Sequence, residues 1–139
     1  ATISHNHLFW QKGALQGGGH GEGKFAVNTA LEPKVAVVKL IPGTTPDILE
    51  FYLAKDYKGL VIESFGAGGV PNASNNWLPE LEKVLQAGVT VVCATQCLYD
   101  GVHLDTYPIG VLAKRLGAQS AELDTLETSV VKLMQELAQ

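Results

Sequence analysis

A glycine stretch, Gly66-Ala67-Gly68-Gly69, follows directly on an apolar run that ends at Phe65. Glycines accept positive φ, and successive amides in such a turn can line a concavity for an anion or let backbone approach a ligand closely. A dinucleotide site would need G-x-G-x-x-G opening straight into a helix. Here Pro71 takes the place of the third glycine. A small-molecule contact and a ligand-free tight turn both remain open. Gly18-x-x-x-x-Gly23-Lys24 meets most of a phosphate-loop pattern, but Phe25 stands where Ser or Thr would hold magnesium, and no good strand precedes Gly18. It reads as part of a glycine-rich arm. His5-x-His7, with His20 and His103, lacks a third ligand at a recognisable spacing, so no metal is expected. Cys93 and Cys97 are separated by three residues, not the two of a dithiol motif. Cys93 falls in a strand, where cysteine acts as a small hydrophobe. Cys97 falls just past the strand end, where it could pack or face a ligand.

The elements that must position these residues are regular from Lys34 onward. Val35 to Ile41 is a nearly continuous apolar run, as in a strand covered on both faces, and Pro42-Gly43 ends it. Thr45 is expected to cap a helix with Pro46 at its first position and Ile48, Leu49, Tyr52 and Leu53 on one face. Gly59 to Ser64 reads as a second buried strand. Asn75 or Asn76 is expected to cap a helix bearing Trp77, Leu78, Leu81, Val84 and Leu85, stopped by Gly88. Val89 to Thr95 is a third strand. Ile109, Leu112, Ala113 and Leu116 predict a helix ended by Gly117, and Asp124-x-x-Glu127 resembles a capping box for the last one.

Strands alternating with helices predict a three-layer α/β fold: a small parallel sheet with helices on both faces. In such sheets ligands gather at the carboxyl ends of strands. Those ends are Pro42-Gly43, Phe65 to Asn72, and Gln96 to Tyr107. Residues 1–32, rich in glycine and holding three of the four histidines, read as an irregular arm or inter-domain remnant; residues 33–139 form the α/β domain.

Composition narrows the function classes. With 139 residues, 46% of them hydrophobic and 17% charged, the chain fits one globular domain. A net charge of −4 without a basic stripe argues against nucleic acid. No apolar run approaches the roughly 20 residues of a membrane span, and no leader-like sequence opens the chain. Two thiols without a disulfide framework fit a cytoplasmic protein. The chain begins at Ala1 and its one methionine is Met134, so a fragment of a longer protein is expected.

Taken in order, Val35 to Gly43, Gly59-Leu60-Val61-Ile62 through Pro71, Thr95-Gln96-Cys97 with Gly101-Val102, Tyr107 and Gly110, and Ser120-Ala121, Glu127 and Lys132-Leu133-Met134 resemble the C-terminal domain of L-asparaginases, closer to the cytosolic bacterial type. The resemblance covers about residues 34–139. It implies a two-domain amidohydrolase that releases ammonia from asparagine without a cofactor. A threonine hydroxyl of the N-terminal domain attacks the amide carbon, an oxyanion hole stabilises the intermediate, and water opens the acyl-enzyme. No catalytic residue is assigned in this chain, which is expected to be inactive alone.

The resemblance further implies a homo-oligomer in which the glycine loop reaches toward the neighbouring subunit's active site. Family members usually carry asparagine at the position of Gly69, which leaves the backbone at Gly68 and Gly69 as the substrate contact. Some cytosolic members have an effector pocket with arginine at the position of Glu63 and cysteine at that of Cys97. Glu63 reverses that charge, so the same effector is not expected. Aspartate is usual where Leu123 stands. Two rival readings are a non-catalytic binding or dimerisation module of the same fold, and a related amidase subunit that feeds ammonia to tRNA-linked glutamate.

Overall fold

The computed structural model describes residues 2–4, 7–9 and 27–139. Within the expected arm, β1 (Thr2–Ser4) pairs antiparallel with β2 (His7–Phe9). The α/β domain holds β3 (Val35–Lys39), α1 (Asp47–Ala54), β4 (Gly59–Ser64), α2 (Leu78–Gln86), β5 (Thr90–Thr95), α3 (Pro108–Leu116), β6 (Gln119–Ser120) and α4 (Leu126–Glu136). The four strands are parallel and ordered β3-β4-β5-β6. The expected α/β sheet is therefore present, with one strand more than the apolar runs announced. β6 is two residues long, too short to show a period; it is extended by the Ala121 amide, which donates to Cys93 O at 2.9 Å.

Strand order equal to chain order has a consequence for the layers. Right-handed crossovers between successive neighbours place their helices on one face, and α1 packs on α2 and α2 on α3. The last helix, α4, has no following strand and lies across β3, β4 and β5 on the other face. Register identifies the two surfaces. Gly59, Val61 and Glu63 share a face with Val35, Val37 and Lys39 on one side and Thr90, Val92 and Ala94 on the other. A Cβ at Gly59 would lie 2.8 Å from both Leu133 Cδ2 and Leu137 Cδ1, so this is the face that α4 covers. Leu60, Ile62, Ser64, Val91 and Cys93 alternate to the opposite face, toward α1–α3, and all are fully buried. Trp77, Leu49 and Leu81, from the helical segments, are also fully buried. Each such large side chain contributes about 1.5–3 kcal/mol by leaving water.

The helix starts differ from the sequence expectation in detail. Thr45 directs its hydroxyl to the Asp47 carboxylate instead of capping an amide. Asn76, one of the two candidates, accepts the Leu78 amide at 3.1 Å, while Asn75 donates to Thr44 O. The α4 cap is Thr125, whose Oγ1 accepts the Thr128 amide at 3.3 Å. Asp124 is displaced from that role because its amide closes a turn onto Ala121 O at 2.9 Å; its side chain instead meets Lys132 Nζ at 2.6 Å.

Candidate functional site

The carboxyl end of central strand β4 runs straight into the glycine loop. Ser64, the last residue of the strand, is buried and donates its hydroxyl to Ala94 O. The chain then doubles back. Phe65 N donates to Gly69 O at 3.1 Å, and Phe65 O accepts from Gly68 N at 3.0 Å and Gly69 N at 2.9 Å. The loop is thus a closed turn whose two last amides are engaged internally. The Gly66 and Ala67 amides at its crest meet no acceptor among the described residues. Gly68 sits at φ +109, and a Cβ there would come within 2.8 Å of Leu104 Cδ2 and Val102 Cγ1, so backbone lies directly on these side chains. Gly69 has neither constraint: its Cβ would make ordinary contacts at 3.6 Å with Ile109 Cγ2 and 3.7 Å with Phe65 O.

Neighbouring loops hold this turn from two sides. The Thr95 hydroxyl donates to Gly66 O, and the His103 amide donates to Ala67 O at 3.0 Å. Gln96 spans the sheet end, donating from Nε2 to Leu40 O at 2.7 Å. Sequence reasoning assigned Thr95 and Gln96 no role. Their signal was a polar pair closing a strand that is otherwise apolar.

Glu63 and Cys97 do come together. Both line a cavity of about 310 Å³ walled also by Tyr99, Leu123, Leu126 and Glu127. The Glu63 carboxylate is largely buried and pairs with Lys39 Nζ at 2.7 Å, so its charge is met within the sheet face itself. Cys97 is half-buried with its amide on Thr95 Oγ1 at 3.0 Å. Cys93 is separate from this cavity: it is enclosed in the core, and burial pushes its thiol up from 9.0 to about 12. A larger open groove of about 690 Å³ lies beside β6, between His103, Lys114 and Glu122, and includes none of the sequence candidates for substrate or effector. Among the described residues no three His, Cys, Asp or Glu side chains are grouped for a metal. His5, His20 and the Gly18 to Lys24 pattern lie outside the described residues. No helix among the described residues is long and apolar enough to cross a membrane.

The domain thus combines a parallel sheet in chain order, a closed glycine turn after its second strand and a final helix crossing the back. Residues 34–139 match the family described as the Glutaminase/Asparaginase C-terminal domain. The chain belongs to that family. Among its relatives is a component of the glutamyl-tRNA(Gln) amidotransferase of Thermococcus kodakarensis, 40% identical over 113 residues, covering 81% of this chain and 25% of that protein. The thermostable L-asparaginase from Thermococcus kodakarensis superposes with a TM-score of 0.78 at 35% identity, covering 85% of this chain and 35% of the other. L-asparaginase I from Vibrio cholerae O1 biovar eltor gives 0.74 at 28% identity, again over 85% and 35%. The chain spans about a quarter of the length of the curated relatives it matches. As a glutaminase/asparaginase C-terminal domain it is thus a portion of what those proteins contain.

Proposed function

We propose that this domain serves an amidohydrolase that converts L-asparagine and water to L-aspartate and ammonia, with the nucleophilic threonine supplied by a separate domain. The observation that carries the reading is the family match across residues 34–139, which includes the glycine turn at the end of the central strand. In the reaction a threonine oxygen bonds to the amide carbon, the C–N bond breaks with a proton passing to the leaving nitrogen, and water then releases aspartate. The domain's part is to present the glycine loop to that centre in a neighbouring protomer. Gly68 and Gly69 bring bare backbone close to the substrate; because their amides are held by Phe65 O, the donors offered are those of Gly66 and Ala67. The Glu63–Cys97 cavity is an effector-pocket candidate whose ligand differs from that of arginine-bearing relatives. Homo-oligomerisation is supported by exposed Ile41, Leu98, Tyr99, Tyr107 and Leu123, all in loops following strand ends. Two free cysteines suit a reducing, cytoplasmic setting.

A second reading has its own support in the 40% identity to an amidotransferase component. There the released ammonia would be passed to glutamyl-tRNA(Gln). Ammonia release from L-asparagine by the full-length protein carrying this segment tests the first reading, and transfer of the amide nitrogen to glutamyl-tRNA(Gln) tests the second. Robust release without tRNA supports the asparaginase. Activity only with the charged tRNA transfers the assignment to the amidotransferase. Silence in both leaves a binding module and overturns the proposal.

A further inference from the structure

We infer that Thr95 is a positioning residue for the glycine loop, acting through the Gly66–Ala67 peptide plane. The Thr95 hydroxyl makes two hydrogen bonds with opposite roles. It donates its one proton to Gly66 O and accepts the Cys97 amide at 3.0 Å. With its donor and an acceptor position both engaged, the hydroxyl has a defined orientation. It also stands on a firm base, since Thr95 closes the β4–β5 register opposite Ser64.

The consequence follows from peptide geometry. The Gly66 carbonyl and the Ala67 amide belong to one planar trans unit, so the C=O and N–H bonds point in opposite directions. Holding Gly66 O against Thr95 therefore aims the Ala67 N–H away from β5. That amide meets no acceptor among the described residues. The plane that follows is pinned independently, because His103 N donates to Ala67 O at 3.0 Å while Gly68 N donates to Phe65 O at 3.0 Å. Nothing else described holds the first plane: a Cβ on Gly66 would touch no atom within 4 Å, and its φ of +50 places it in a region where glycine moves freely. Thr95 is thus the sole described side chain that orients the Ala67 donor, and the same hydroxyl ties down the Cys97 loop.

This deepens the amidohydrolase reading and rests on it for its kinetic part. The test uses the full-length protein with Thr95→Val, which keeps the shape and removes the hydroxyl, and Thr95→Ser, which keeps the hydroxyl. Two readouts are taken: KM and kcat for L-asparagine, and the rate at which iodoacetamide alkylates Cys97. Thr95→Val is expected to raise KM about tenfold, the scale of one lost hydrogen bond to a polar or charged group, with kcat changed much less. Its Cys97 should alkylate at least about threefold faster, a factor set by less than one hydrogen bond. Thr95→Ser should match the parent in both. Cys93 serves as the internal folding control, since it reacts only if the core opens. Should Thr95→Val label at both thiols it has unfolded, and Thr95→Ser then decides: parental KM supports the hydroxyl's role, and a raised KM overturns it. A folded Thr95→Val with parental KM and parental labelling also overturns it. A parent protein without amidase activity defeats the functional reading alone, and the Cys97 labelling still decides the positioning.

Discussion

At Gly69 the loop leaves room for a side chain, whereas one residue earlier it does not. A Cβ on Gly69 would meet its neighbours at 3.6 and 3.7 Å, ordinary contact distances, so a side chain can leave the backbone here without moving it. Gly69→Asn is expected to fold with unchanged chemical-denaturation midpoint and to lower KM for asparagine in the full-length protein. A loss of more than about 1 kcal/mol in stability, the usual range of a disruptive substitution, would contradict that geometry. Gly68→Ala, in contrast, combines a left-handed φ with contacts of 2.8 Å to Leu104 and Val102. It should cost about 2–4 kcal/mol by urea unfolding. Cys93 gives a pH prediction with a definite sign. Its folded value, about 12, lies above the ordinary 9.0, so the folded state holds the proton more tightly than the unfolded one. The associated stability is complete below pH 9 and is lost as pH rises toward 12. Denaturation midpoints of Cys93→Ala should therefore fall less steeply than the parent's across that window, and at pH 8 only Cys97 should alkylate in the folded protein.

Elements are where sequence reading succeeded most evenly, and its misses are instructive. β3, β4 and β5 were visible because strands covered on both faces become unbroken apolar runs. α2 and α3 showed their stops in Gly88 and Gly117. The cap of α4 was misplaced by one residue because two neighbouring polar residues, Asp124 and Thr125, both suit the position. Only the turn onto Ala121 O decided that Thr125 would face the Thr128 amide. Thr125→Ala should accordingly destabilise the domain by about 1 kcal/mol. Asp124→Ala, which loses an exposed pair with Lys132, should cost about half of that or less in the same unfolding assay. The close seating of α4 was legible nowhere in the chain: Gly59 looks like a strand-start glycine until Leu133 and Leu137 are found where its Cβ would be.

For the molecule as a whole, apolar residues left in water concentrate in the loops at one end of the sheet. Leu98, Leu123 and Tyr99 are exposed by 86%, 78% and 79%. In the 139-residue chain this surface should drive concentration-dependent self-association, measurable by light scattering and reduced by Leu98→Asp. A monomer at all concentrations would argue against that surface being an interface. The sequence by itself determined the layer architecture and where three of the strands fall along the chain, because apolar period and turn residues are local properties. It also determined family, since several short motifs in fixed order are specific where each alone is weak. Only the tertiary structure decided how the candidate residues relate. Glu63 and Cys97, far apart in the chain, share one cavity because β4 and β5 are adjacent in register. The Gly68 and Gly69 amides turn inward on Phe65, and Thr95 reaches across from the next strand to hold Gly66. Such pairings depend on which strands lie side by side and which way each loop folds back, and no spacing along a single strand encodes that.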